Sequence, residues 1–328
     1  MGYLIKGEWH EGWYDTSKTA GEFVRAESQF RGSITADGSS GFRVEPGRYH
    51  LYVSLACPWA HRTIIYRRLK QLEDVISMSV VDPVMSDQGW TFTDGESCIP
   101  DTVNGATYLH QVYTRALPDY SGRVTVPVLW DKQTRTIVNN ESSEIIRMLN
   151  GEFNAFTGVK TEFYPVARRK EIDAINAFVY ERINNGVYKA GFAGSQLVYE
   201  SAVKRLFDAL DEIEARLDRT RYLLGDSITE ADWRLLPTLL RFDAVYVTHF
   251  KCNLKRIEDY PNLSHYVRDL YQQPGVAGTV NLDHIKWHYF LSHRHLNPSG
   301  IVPLGPLLDF SRAHDRNRFA RQVVRETF

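Results

Sequence analysis

Apolar and polar residues change their spacing once along this chain, near residue 165. Before that point apolar residues come in short β-prone runs. The run from Tyr49 to Leu55 predicts a strand, and Ala60 to Leu72 reads as the helix that follows it. Val75 to Val81 is a second β-rich run, ended by Asp82-Pro83. Residues 85–122 then show no period. A stretch of that length inside a compact domain is usually functional or disordered, and Trp90, Phe92 and several tyrosines favour function. Thr125–Trp130 predicts a third strand, interrupted by Pro127, and Thr136–Val138 a fourth. Glu141–Leu149 predicts a short helix with apolar Ile145, Ile146 and Leu149.

The first half therefore runs β-α-β, a detour, then β-β-α, the thioredoxin layout. Beyond a linker at 151–165 the spacing is helical almost throughout. Ile172, Ile175, Val179 and Ile183 mark one helix face; Val203, Leu206, Leu210, Ile213 and Leu217 mark another. Thr229 and Asp232 form a capping-box pattern, and the helix they open carries Pro237, where a kink is expected. Further helical segments lie near 263–271 and 281–292. The fold class expected is an α/β thioredoxin-like N-terminal domain followed by an all-α C-terminal domain. The expected boundaries are an N-terminal extension over 1–45, the thioredoxin-like domain over 46–150 with an insert at about 84–122, the linker over 151–165, and the helical domain over 166–328 with a peripheral tail. No internal repeat is apparent.

Composition narrows the function classes. The net charge is −1, with basic and acidic residues interspersed, which gives no footprint for nucleic acid or a membrane surface. Aromatic residues make up 12% of the chain, enough to line a site for a flat ligand as well as a core. The three cysteines are Cys57, Cys98 and Cys252, a count that argues against a disulfide framework. Met1 to Trp9 lacks a basic segment followed by an apolar run, and Lys6 stands where a myristoylation signal needs Ser or Thr. No apolar stretch approaches membrane-spanning length. A reducing, cytoplasmic setting is expected.

The chemistry centres on Cys57, in Leu55-Ala56-Cys57-Pro58-Trp59-Ala60-His61-Arg62. Pro58 suits a first helical position, so the thiol is expected at a strand-to-helix junction. There it faces unpaired backbone N–H groups, which favour thiolate. Position 60 is Ala, so no Cys-x-x-Cys pair exists. The second thiol must come from a small molecule, and glutathione is the natural candidate. Pro127 inside Val124-Thr125-Val126-Pro127-Val128 fits either an edge strand with trans proline or a cis Val126–Pro127 bend. The bend would leave the Val126 backbone to pair with an extended peptide. Asn140-Glu141-Ser142-Ser143 opens a helix. Ser142 can offer its hydroxyl and N–H to a carboxylate and Glu141 can pair with an ammonium group, or the four residues are an ordinary cap. His284, His288, His293 and His295 lack the order and the cysteine neighbours of a zinc site, so no metal is expected.

Three further stretches carry a resemblance. Tyr222-Leu223-Leu224-Gly225-Asp226-Ser227-Ile228-Thr229-Glu230-Ala231-Asp232 resembles the glutathione-transferase pattern that leads into its core helix. The Cys57 motif, the insert with Trp90, and Asn184-Asn185-Gly186-Val187-Tyr188-Lys189-Ala190-Gly191-Phe192-Ala193 resemble the glutathionyl-hydroquinone reductases, the xi class of glutathione transferases. The likeness runs roughly from Phe42 to His295, with no departure at the key motif positions. It implies that Trp90, Arg123, Val124, Thr125, Val126, Glu141 and Ser142 hold glutathione, and that Tyr188, Tyr246 and Tyr289 face Cys57 across a domain cleft. On spacing alone each tyrosine reads as core or interface, and only the resemblance assigns it to the site. The resemblance also implies a homodimer, and reduction of glutathionyl-hydroquinones through a Cys57–glutathione mixed disulfide. The alternatives are an omega-like thiol transferase or dehydroascorbate reductase, and a non-catalytic binder of aromatic ligands.

Overall fold

The computed structural model describes residues 1–321, and the chain gathers into two compact units. The first contains residues 1–14, 25–161 and 279–302. The second contains 15–24, 162–278 and, of the described residues, 303–321. The segment 279–302, placed by the sequence reading with the helical half, is thus built into the first unit.

The first unit opens with strands β1 (Gly2–Ile5) and β2 (Glu8–Glu11), paired antiparallel across Lys6-Gly7. Both turn residues have positive φ, the twist that a two-residue hairpin turn needs. A Cβ on Gly7 would lie 2.0 Å from the Pro118 carbonyl oxygen, so only glycine fits. Next come β3 (Ile34–Thr35) and β4 (Phe42–Arg43), a short parallel pair. Residues 1–45 were expected to be an N-terminal extension, an extended arm or covering segment, and these strands give parts of it regular structure. Runs of two to four residues are too short to show a period.

The core of the unit is β5 (Tyr49–Val53), followed by helix α1 (Pro58–Leu69) and strand β6 (Ser77–Val80). Helix α2 (Leu109–Ala116) and strand β7 (Gly122–Arg123) follow, and β7 joins β1 to complete a three-stranded sheet. Then come β8 (Val128–Asp131), β9 (Thr136–Asn139) and helix α3 (Ser142–Gly151), which packs on α1. The main sheet has the order β6-β5-β8-β9, with β5 parallel to β6 and antiparallel to β8. All five residues of β5 are buried, as a strand covered on both faces requires. This is the expected thioredoxin-like arrangement, with each element within a few residues of its expected span.

The 85–122 stretch is more ordered than its lack of period suggested. It contains α2, whose Leu109, Val112 and Tyr113 are buried at helical spacing. The Asp101 carboxylate also accepts from the N–H groups of Val103, Asn104 and Ala106 and from the Tyr52 hydroxyl.

The second unit is helical: α4 (Arg169–Val179), α5 (Gly186–Gly191), α6 (Gln196–Leu217), α7 (Glu230–Arg241), α8 (Val247–His249) and α9 (Pro261–Tyr271). Both expected stripes, 172/175/179/183 and 203/206/210/213/217, are buried. The capping box forms: Asp232 accepts from the Thr229 N–H at 2.8 Å, and also from Leu223 N–H and the Tyr266 hydroxyl. Pro237 lies inside α7, and the chain passes from α7 into a π-helical turn at Phe242–Tyr246. A Cβ on Gly191 would fall 2.2 Å from the Phe250 ring, so a glycine there lets α5 and that ring meet.

Candidate active site

Cys57 is the N-cap residue of α1, with Pro58 in the first turn and extended backbone at φ −78°, ψ 123°. The turn Ser54–Ala56 delivers it from the end of β5, and the Cys57 N–H donates to the Ser54 carbonyl at 3.2 Å. The thiol is half-buried. Its Sγ lies 3.6 Å from the carbonyl oxygen of Val126. The Val126–Pro127 peptide is cis, which decides between the two readings of Pro127. Pro127 ends the irregular lead-in, and β8 begins one residue later. Among the described residues no backbone hydrogen bond occupies the Val126 N–H. The positive end of the α1 dipole favours an anion at the sulfur.

The start of α3 provides the second element. Glu141 is its N-cap, and its carboxylate accepts from the Ser143 N–H at 3.0 Å and the Ser143 hydroxyl at 2.9 Å. Ser28 donates to the same carboxylate at 3.4 Å. Ser142 is buried, and the Arg62 guanidinium donates to its hydroxyl at 3.4 Å. Arg62 is itself buried. Its guanidinium carbon lies 4.6 Å from the centre of the Trp59 ring, with that of Arg25 at 4.8 Å from the same ring. The Cys57 motif thus reaches the start of α3 through Arg62.

The lead-in to Val126 is held from both sides. The Arg123 guanidinium donates to the carbonyls of Gly12 (2.5 Å) and Trp13 (2.7 Å), and lies over the Tyr14 ring. Val124 is buried, and the Tyr113 hydroxyl donates to the Thr125 carbonyl at 2.8 Å. Burial pushes the Tyr113 phenol up, so it remains a donor. Trp90 is also buried, with its ring stacked on His288 at 4.7 Å.

Comparison with known proteins decides the family. The N-terminal domain of the glutathione S-transferases matches residues 56–152 and their C-terminal domain matches 180–269. The glutathionyl-hydroquinone reductase PcpF of Sphingobium chlorophenolicum is 56% identical over 306 residues, 93% of this chain and 96% of its own. The glutathionyl-hydroquinone reductase YqjG of Escherichia coli is 54% identical over 324 residues, 97% of this chain and 99% of its own. The glutathione-bound structure of YqjG superposes with a TM-score of 0.89, at 51% identity, covering 96% of this chain and 99% of that one. The chain belongs to the xi-class glutathione transferases, the glutathionyl-hydroquinone reductase family.

In this xi-class chain the expected site residues divide between the units. Cys57, Trp90, Arg123 to Pro127, Glu141, Ser142 and Tyr289 belong to the first; Tyr188 and Tyr246 belong to the second. Tyr246 is fully buried at the end of the π-helical turn Phe242–Tyr246 and stacks on Phe250. Tyr188 stands on α5, just after another such turn at Tyr180–Asn184, with its ring 6.1 Å from that of Tyr246. Tyr289 lies in a third, His288–Ser292, between His288 and His293. Turns of this kind concentrate at functional sites.

Among the described residues, no three His, Cys, Asp or Glu side chains gather to hold a metal. His284 reaches the Glu96 carbonyl at 2.7 Å, His288 the Pro83 carbonyl at 2.9 Å, and His293 and His295 lie against Trp13. No described helix is long and apolar enough to cross a membrane. Cys252 is fully buried and burial pushes its thiol far up; Cys98 is pushed up less, by the same cause. Sequence reading missed Arg62, Tyr113 and Asn140. Arg62 stood inside the cysteine motif, and Tyr113 in the 109/112/113 apolar pattern. Asn140 carried no signal beyond preceding Glu141.

Proposed function

We propose that this chain reduces glutathionyl-hydroquinones to hydroquinones at the expense of glutathione. The observation that carries this is the sulfur of a helix N-cap cysteine 3.6 Å from the carbonyl that precedes a cis proline. A tripeptide paired along Val126 would bring its own sulfur beside Cys57. Trp90, Val124, Thr125, Glu141 and Ser142 would complete its cradle. Arg123, whose guanidinium is engaged by Gly12 and Trp13, would serve by fixing the lead-in strand.

The Cys57 thiolate attacks the thioether sulfur. An S–S bond forms, the sulfur–aryl bond breaks, and its electron pair stays on the ring carbon, which gains a proton. The family resemblance would make Tyr188 the source of that proton and Tyr246 and Tyr289 hydrogen-bond donors to the thiolate or the ring oxygens. A second glutathione thiolate then attacks the mixed disulfide, releasing glutathione disulfide and restoring the Cys57 thiolate. The ring carbon is reduced by two electrons, and the substrate's glutathionyl sulfur and one free glutathione thiol end as one disulfide. The lack of a cysteine at position 60 fits this scheme, since the small thiol resolves the intermediate. We also infer a homodimer, the usual assembly of glutathione transferases, and a cytoplasmic setting in which reduced glutathione is abundant.

Intact-mass measurement after incubation with a glutathionyl-hydroquinone tests the reading. One glutathionyl group on the native chain and none on Cys57→Ser is expected. An unmodified native chain, or turnover of dehydroascorbate without turnover of the hydroquinone thioether, would replace it.

A further inference from the structure

We propose that Tyr113 is a positioning residue that locks the two halves of the glutathione cradle to each other through one buried hydroxyl. The proposal rests on the glutathione reading above, and it gives a task to the insert, which that reading used only at Trp90.

The geometry is specific. A phenol has one hydrogen to donate and two lone pairs to accept with. Tyr113 uses all three. It donates to the Thr125 carbonyl at 2.8 Å, and accepts from the Asn140 side-chain amide at 3.2 Å and the Thr125 N–H at 3.3 Å. Thr125 is the residue before Val126, and Asn140 is the residue before Glu141. One oxygen therefore ties together the two backbone points from which the cis-proline bend and the α3 N-cap depart. No covalent neighbour links them, since residues 125 and 140 are joined only by the hairpin β8–β9.

Both partners are held in turn. The Asn140 N–H donates to the Phe30 carbonyl at 3.1 Å, and the Phe30 N–H donates to the Asn140 side-chain oxygen at 3.2 Å. Phe30 stacks on Tyr120, whose ring adjoins that of Tyr113. The N-terminal segment thus closes over a polar centre contributed by α2. Tyr113 is fully buried, so a lost hydroxyl cannot be replaced by bulk water. Without it the Thr125 and Asn140 groups would seek other partners, and the distance between Val126 and Glu141 would no longer be fixed.

Steady-state kinetics on Tyr113→Phe and Asn140→Ala tests this, with Tyr52→Phe as the reference. Tyr52 is equally buried and its hydroxyl donates to Asp101 at 2.9 Å. Both test variants should raise the glutathione KM about tenfold with kcat little changed, because the cradle loosens while the sulfur chemistry is untouched. Tyr52→Phe should lower the thermal midpoint without moving KM. An unchanged KM in a folded Tyr113→Phe, or in Asn140→Ala should the first fail to fold, overturns the proposal, as does an equal KM shift in Tyr52→Phe. Formation of the Cys57 adduct by the native chain is scored separately. If the adduct forms and KM does not move, only the role of Tyr113 falls; if no adduct forms, the glutathione reading falls with it.

Discussion

Two helix starts in this molecule have opposite characters. At α7, Thr229 and Asp232 satisfy each other's backbone groups, and Asp232 also ties down Leu223 and Tyr266. The cap's hydrogen bonds go to holding the fold, and the carboxylate is fully buried. At α1, the N-cap is a half-buried thiol that makes no capping hydrogen bond, followed by a proline with no N–H to satisfy. The same electrostatic feature, the positive end of a helix, is neutralised internally in one place and presented to a sulfur in the other. A helix N-terminus becomes reactive when its cap residue cannot finish the job.

Substitutions at the two caps should separate their roles. Cys57→Ser should lower turnover by about 10³-fold or more, since a hydroxyl forms no mixed disulfide. Thiol-dependent reduction assays would check this, and residual turnover near native levels would mean that the sulfur is a bystander.

A second test concerns the strand that delivers Cys57. Burial holds His50 of β5 down to about 4, well below its ordinary value. Ser79 donates to the Pro100 carbonyl, so its oxygen accepts from His50 Nε2, and the neutral ring accepts from Ser77 through Nδ1. Between pH 6.5 and 4 the unfolded chain binds the proton and the folded chain does not, so stability falls as pH falls through that window. The full loss is about 3 kcal/mol. Urea unfolding at pH 7 and pH 5 should show part of it, and His50→Gln should flatten the dependence.

Smaller effects separate binding from capping. Glu141→Gln should raise the glutathione KM about tenfold by weakening the proposed charge-assisted contact to the glutathione ammonium group, whereas kcat should hold. Thr229→Ala should cost about 1 kcal/mol of stability in denaturant titrations and leave kcat/KM alone. A loss of kcat/KM in Thr229→Ala that exceeds its loss of folded protein would show that the α7 cap is not purely structural.

The legible parts of the sequence were those whose cause is local. Pro58 after Cys57 announced a helix start, and the Thr229–Asp232 spacing announced a capping box; both formed as read. Pro127 left two readings open because a cis peptide depends on what surrounds it. The strands of residues 1–45 were not legible: β1 finds its second partner in β7, far along the chain, and four residues are too few to show alternation. Helix α2 carried a readable 109/112/113 pattern within eight residues, short enough to pass as loop. The hydrogen bonds of Tyr113 join residues from three separate segments, and no spacing rule reaches across them.

The placement of residues 279–302 in the first unit has a practical reach. Thr279 bonds the buried His61 of α1 at 2.9 Å, His288 supports Trp90, and Ser292 holds the Met85 N–H. The thioredoxin-like half is therefore not a cassette that can be excised at the 151–165 linker. A domain exchange cut there would leave behind the piece of chain that packs against the helix Cys57 caps, so recombination between relatives of this enzyme must carry both stretches or neither.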